Sequence, residues 1–155
     1  MTTGSCSAAE ATARQFFADL QRVLRGENVD PYAVMAEDVE FIVTGQTPLS
    51  GVWHGMKSIR EAFLPQARSR MGHAPGHGLF PIRFIAEGND VAVIARGRGS
   101  SITGYPYNNS YVFWFTVANG KVVRYIEDFD SSLAWQAIFR CHLEPAAGGA
   151  HQSTE

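Results

Sequence analysis

Residues 110–129 constrain the fold more than any other stretch. Ser110 to Ala118 and Val122 to Phe129 are rich in aromatic and β-branched residues, and Asn119-Gly120 joins them. An Asn-Gly pair between two such runs signals a two-residue hairpin, because both turn positions need positive φ. Upstream, Phe80 to Ala86 and Val91 to Ser101 read as two more strands around the tight turn Glu87-Gly88-Asn89-Asp90. A second turn over Thr103 to Pro106 leads into the hairpin. The C-terminal half is thus expected to be an antiparallel meander.

The N-terminal half has a different period. Ala13, Phe16, Phe17, Leu20, Val23 and Leu24 recur at helical spacing, which predicts a helix from Ala8 to Arg25 stopped by Gly26. Asp30-Pro31 is an N-cap followed by a proline at the first helical position, predicting a short helix to Ala36. Val39, Phe41 and Val43 alternate as a strand. A turn-rich loop over Gly45 to Gly51 and Trp53-His54-Gly55 lead to a third helix, Met56 to Arg70, expected to kink at Pro65. Met71 to Leu79 is a loop. Asp130 caps a last short helix, Ser131 to Arg140. Helices early and strands late make an α+β chain. We expect a cone-shaped, curved antiparallel sheet wrapped around three N-terminal helices, with a short C-terminal helix. Residues 8–143 form the domain, between a disordered lead (1–7) and a Pro/Ala/Gly/Ser-rich disordered tail (144–155).

Composition narrows the function. Of the 155 residues 45% are apolar and 18% charged, with a formal charge of −2, so a packed core is expected and disorder is not. Scattered basic residues on a near-neutral chain argue against nucleic acid as a partner. No apolar run approaches the ~20 residues that span a bilayer, and Met1 to Ala9 lacks the basic and apolar regions of a secretory signal. Cys6 and Cys141 are read as separate thiols rather than a bridge. The expected setting is the cytoplasm, without a membrane partner.

Several short segments, in order, resemble one family. Leu49-Ser50-Gly51-Val52-Trp53-His54-Gly55 with Ser58-Ile59 is similar to the approach to the third helix in SnoaL-like proteins. Gly88-Asn89-Asp90-Val91-Ala92-Val93 with Arg96-Gly97 resembles their third-strand pattern. Asn108 to Phe115 with Asn119-Gly120-Lys121-Val122 resembles their central hairpin, and Ile126-Glu127-Asp128-Phe129-Asp130 the run that closes the sheet. Over residues 8–140 the chain resembles the nuclear transport factor 2-like superfamily, on its ketosteroid isomerase and SnoaL-like polyketide cyclase branch.

The resemblance implies a register. It turns Val123, Tyr125, Glu127 and Phe129 inward, together with Tyr111, Phe113 and Phe115, while Phe41, Val43 and Phe16 or Phe17 complete an aromatic chamber. Glu127, Tyr111, Tyr125 and Trp53 are its polar groups. It also implies departures. Val43 stands near the isomerases' base and Phe16 near their oxyanion tyrosine, while Tyr111 stands near their second oxyanion acid. The Arg/Asp pair of the epoxide hydrolases has no match near Ala95 and Gly97. Glu127 falls where those hydrolases and the cyclases carry an acid. Glu127 is then either an acid/base assisted by Tyr111 or Tyr125, or a carboxylate that pairs with an arginine or caps a loop in a pocket that only binds. Phe16, Phe41, Val43, Trp53, Phe113 and Phe129 are the expected walls around an apolar, cyclic or polyketide-like small molecule. Neither metal nor organic cofactor is expected.

Other candidates carry less chemistry. His73 and His77 are four apart, but Pro75-Gly76 breaks any helix that would align them as metal ligands; a loop over the pocket mouth fits better. His54 reads as a surface or packing histidine. Arg96 and Arg98 are placed on the outer sheet face, paired with Asp128 or its neighbours. Asp130 is an N-cap. Ser131 and Ser132 lack the partners of a triad, and Gly97 and Gly99 precede no helix that would make a phosphate loop. Val112 and Trp114 fall on the outer face and, with the family's habit, imply a back-to-back homodimer.

Overall fold

The computed structural model describes residues 7–139. Cys6, Cys141 and the expectations for most of the lead and for the tail lie outside them. Helix α1, Ala8–Leu24, starts where the Ser7 hydroxyl accepts the Glu10 N–H at 3.1 Å and ends before Gly26 at φ +83°. Ala9, Ala13, Phe16 and Phe17 are buried, but Val23 and Leu24 are 42% and 51% exposed. The last turn of the apolar stripe therefore runs out of the core.

The segment after Asp30 is shorter than expected. Asp30 accepts the Tyr32 N–H at 3.0 Å and caps one 3-10 turn, Pro31–Val34. Strand β1, Met35–Val43, begins directly afterwards, with Val39, Phe41 and Val43 on its buried face. The loop then leads into a strand that the alternation missed: β2, Gly51–His54, pairs antiparallel with β1. Four residues are too few to show a period.

Pro65 does not kink a continuous helix. α2, Gly55–Ser58, passes through a π turn, Ile59–Phe63, into α3, Leu64–Arg68. Proline has no N–H to close the normal bond, and the ladder widens just before it: the Leu64 N–H reaches back to the Ile59 carbonyl.

Strands β3 (Gly78–Glu87), β4 (Asp90–Arg98), β5 (Ser110–Ala118) and β6 (Lys121–Phe129) form the expected meander. Asn119 and Gly120 both have positive φ, as the hairpin requires. The sheet order is β2-β1-β6-β5-β4-β3, with β1 parallel to β6. The six-stranded sheet is thus mixed, not wholly antiparallel. Helix α4, Ser131–Ala134, closes the domain and continues as a π turn, Trp135–Phe139.

The curved sheet wraps α1. Phe16 packs on Phe115 and Tyr125 (ring centroids 5.6 and 5.7 Å), and Phe17 on Phe113 and Phe84 (5.5 and 5.8 Å). On the outer face the register lines up Val52, Ile42, Ile126, Trp114, Ala92 and Ile85, one from each strand. Among the described residues no helix is long and apolar enough to cross a membrane.

Candidate functional site

The mouth of the cone opens into a cleft with two lobes. The outer lobe is about 500 Å3 and the inner about 250 Å3. Leu20, Tyr32, Leu64, Met71, Leu79, Tyr107, Tyr111 and Glu127 border both, so the lobes are continuous. Phe16, Val43, Phe113, Tyr125 and Phe129 wall the inner lobe, as the resemblance implied.

Two of the expected wall residues do not border the cleft. Phe41 stacks behind Tyr125 at 4.8 Å and meets Phe63 edge-on, also at 4.8 Å. The π turn brings Phe63 over Phe41, and Val43, one step further along β1, takes the lining place. The Trp53 indole N–H is spent on the Leu49 carbonyl at 3.0 Å, and its ring packs on Phe63. Both side chains support the wall from behind.

Glu127 stands on β6 between Val43 of β1 and Phe113 of β5. Among the described residues no hydrogen bond or ion pair reaches its carboxyl, and the expected alternative, pairing with an arginine, is not found. Its neighbours are apolar walls and phenols, and desolvation raises its pKa from 4.5 to about 7. Such a group is half ionised near neutral pH, the condition under which one carboxyl serves as both acid and base.

Four tyrosines surround it closely enough for its charge to disfavour each phenolate: Tyr32, Tyr107, Tyr111 and Tyr125. Burial is the larger cause and raises all four, so each is a neutral phenol at physiological pH. Their hydrogen bonds sort them. The Asn109 Oδ1 accepts the Ser110 N–H at 2.8 Å and the Asp130 N–H at 3.1 Å, which fixes the amide orientation. Its Nδ2 therefore donates, to the Asp130 carbonyl at 3.0 Å and to the Tyr107 hydroxyl at 3.2 Å. Tyr111 also donates to Tyr107, at 3.0 Å. Both lone pairs of the Tyr107 oxygen are thus engaged, and its own proton is left for the cleft. Tyr111, expected to donate to a ligand, instead polarises Tyr107. Among the described residues the hydroxyls of Tyr32 and Tyr125 have no partner; both residues border the inner lobe.

Tyr32 and Tyr107 were missed from the sequence. Tyr32 follows a cap and carries no pattern. Tyr107 had a signal: Tyr107, Asn109 and Tyr111 continue the alternation of β5 backwards through the loop, and Tyr107 and Asn109 are buried while Asn108 is exposed.

Gly97 makes room for this arrangement. A Cβ there would stand 2.7 Å from the Tyr111 ring. Gly97→Ala is expected to push the ring aside, break the Tyr111–Tyr107 bond and cost about 1–3 kcal/mol of stability. The check is denaturant unfolding together with the slowly exchanging tyrosine hydroxyl resonances; an unchanged hydroxyl spectrum refutes the packing described.

The remaining candidates sort as follows. His73 and His77 border the outer lobe, and the His77 Nδ1 lies 3.1 Å from the Gly72 carbonyl. Among the described residues no three His, Cys, Asp or Glu side chains gather as metal ligands. Their loop is pinned at its start by the Gly72 N–H to the Ser100 carbonyl at 2.8 Å. His54 is exposed at the end of β2. Asp130 is the cap of α4, accepting the Ser132 and Leu133 N–H groups at 2.9 and 3.0 Å. Neither Arg96 nor Arg98 pairs with Asp128: Thr44 donates to Asp128, Arg96 donates to Ser110, its cross-strand neighbour, and Arg98, expected away from the pocket, borders the outer lobe at the end of β4.

Comparison with known proteins places this geometry. No curated protein matches the sequence. An NTF2-like protein from Burkholderia xenovorans LB400 is 30% identical, over 86% of this chain and 98% of its own, with a TM-score of 0.63. An NTF2-like protein of unknown function from Burkholderia pseudomallei K96243 is 23% identical over 85% and 98%, with a TM-score of 0.72. TerC, co-crystallised with polyporic acid, is also 23% identical, over 86% and 99%, with a TM-score of 0.69; at that identity these last two speak for the fold alone. The family model described as "SnoaL-like domain" matches residues 13–125, and the chain accordingly belongs to the SnoaL-like domain family, within the nuclear transport factor 2-like superfamily.

Proposed function

We propose that the cleft carries out cofactor-independent proton transfer on an apolar, cyclic or polyketide-like small molecule, in an isomerisation, cyclisation or dehydration. One observation carries this reading: Glu127, the only carboxyl among the described residues that borders both lobes, has no ionic or hydrogen-bond partner there, and desolvation pushes its pKa up to about 7. As carboxylate, Glu127 takes a proton from a carbon beside a carbonyl. The negative charge then develops on the carbonyl oxygen, where a preorganised donor counts most. Tyr107, whose oxygen already accepts two hydrogen bonds, is the donor best suited to that oxygen, with Tyr32 and Tyr125 as further phenols. Protonated Glu127 returns the proton to a different atom. Polyporic acid in TerC supports a small organic ligand for this architecture.

A second reading is a binding protein without turnover. It is favoured by Val43 and Phe16, apolar where the steroid isomerases carry polar groups; both border the inner lobe. A metabolite library screened by thermal shift finds the ligand, since binding to the native state raises apparent stability. Exchange of the ligand's carbon-bound hydrogens in D2O, followed by NMR, then separates the readings. Exchange by the wild type supports transfer; a tightly bound ligand with an acidic C–H that never exchanges supports binding alone.

We also propose that two copies associate through the outer sheet face. Trp114 and Val112 are each 44% exposed and Ile94 41%, beside the apolar row crossing all six strands. Contiguous apolar surface of this kind marks a contact site. The wild type is expected to run as a dimer at micromolar concentration in light scattering and Trp114→Lys as a monomer; a strictly monomeric wild type overturns the proposal.

A further inference from the structure

We propose that the ligand is an organic monoanion, a ring-bearing carboxylate whose charged group sits at the mouth against Arg68 and Arg98 while its neutral body enters the inner lobe. The inference rests on the cleft being a small-molecule site and adds the chemical class and orientation of what it takes.

The two ends of the cleft differ in charge. The outer lobe is bordered by Arg68, Arg98, His73 and His77. Its acids are Asp30, already held by Arg60 at 2.6 Å, and Glu127 at its floor. The mouth arginines have no such partner. Among the described residues the Arg68 guanidinium makes no hydrogen bond or ion pair, and the contact found for the Arg98 guanidinium is the Phe80 ring, 5.7 Å away. Arg14, Arg22, Arg25, Arg60 and Arg124 each pair with a carboxylate; Arg70, Arg83 and Arg96 show no such pair among the described residues but do not border the cleft. The charge of Arg68 reaches inward far enough to favour the Tyr32 phenolate.

The inner lobe has the opposite character. Phe16, Phe113, Tyr125, Phe129 and Ile138 wall it, and its one ionisable acid is Glu127. An anion placed there would lose its hydration and face a second carboxylate. At the mouth it meets two unpaired guanidiniums, which bind carboxylates bidentately. Leu20, Leu64, Met71 and Leu79 border both lobes and make an apolar passage between the two regions. A molecule with one charged end and one ring end therefore has a single favourable orientation, which presents its ring carbons to Glu127.

The test uses N-phenyl-1-naphthylamine as a neutral fluorescent reporter, displaced by 2-naphthoate or 2-naphthamide, a pair matched in size and differing in charge. Naphthoate is expected to bind about tenfold more tightly than the amide, and to weaken as NaCl rises from about 0.05 to about 0.5 M. In an Arg68→Gln/Arg98→Gln double variant that preference falls below about threefold while the reporter affinity is unchanged. Glu127→Gln retains the preference. Equal binding of acid and amide by the wild type, or a preference that survives loss of both arginines, overturns the anion proposal and leaves the cleft standing. If neither the reporter nor either competitor binds, the small-molecule reading fails and takes the proposal with it.

Discussion

Glu127→Gln is expected to lower proton transfer on a bound substrate by about 10²–10⁴-fold while leaving ligand affinity within a few-fold, because the amide keeps the shape and loses the exchangeable proton. Single-turnover kinetics or deuterium exchange measures the first quantity and reporter fluorescence the second. Unchanged turnover removes Glu127 from the reaction. The same substitution has a second, oppositely signed effect on stability. The folded-state pKa is raised from 4.5 to about 7, so the folded protein binds more protons than the unfolded chain between those values. The contribution of Glu127 to stability is therefore whole below pH 4.5 and is lost as pH rises through 7. Relative to wild type, Glu127→Gln should be neutral at pH 4 and more stable by about 2–4 kcal/mol at pH 8. Urea unfolding at the two pH values measures the difference. A variant that is less stable at pH 8 would mean that the carboxylate has a partner in the folded protein. Loss of activity with gain of stability is the signature of a charge kept in an apolar site for its chemistry.

Phe115→Ala is expected to have the largest effect on folding. The side chain is fully buried, touches no part of the cleft, and packs against the rings of Phe16, Phe17, Phe113 and Tyr125 at 5.6, 6.1, 6.5 and 5.0 Å. Removing it joins α1 to the sheet across a void, and such deletions cost about 3–5 kcal/mol. A domain of this size has about 5–15 kcal/mol in all, so the variant should lose about a fifth or more of its stability, read as a fall in the denaturant midpoint. A loss below about 1 kcal/mol would show that α1 collapses onto the sheet without it.

Local alternation sorts β1, β5 and β6 into two faces, grouping Phe41 with Val43, Phe113 with Phe115, and Tyr125 with Glu127, because a strand turns successive side chains to opposite faces whatever surrounds it. Which face of β5 and β6 looks inward came from the family resemblance. The α1 stripe, the Asn119-Gly120 turn and the Asp130 cap are legible for the same reason: their physics lies within a few residues. Which strand neighbours which was not legible. The parallel pairing of β1 with β6 joins residues about 80 apart, and nothing local at Val43 records that Glu127 lies beside it. β2 was lost because it is short, and the wall positions of Phe41 and Trp53 because Phe63 approaches from a π turn that no period announces.

Sequence by itself determined the class of fold, the family likeness and Glu127 as the candidate carboxyl. Tertiary structure decided the surroundings of that carboxyl: Tyr107 with its oxygen accepting from Asn109 and Tyr111, Tyr32 brought in from a turn, and two arginines without a carboxylate partner at the mouth. Those properties arise from desolvation and from hydrogen bonds between residues distant along the chain. They exist only once the sheet has curved around its helix.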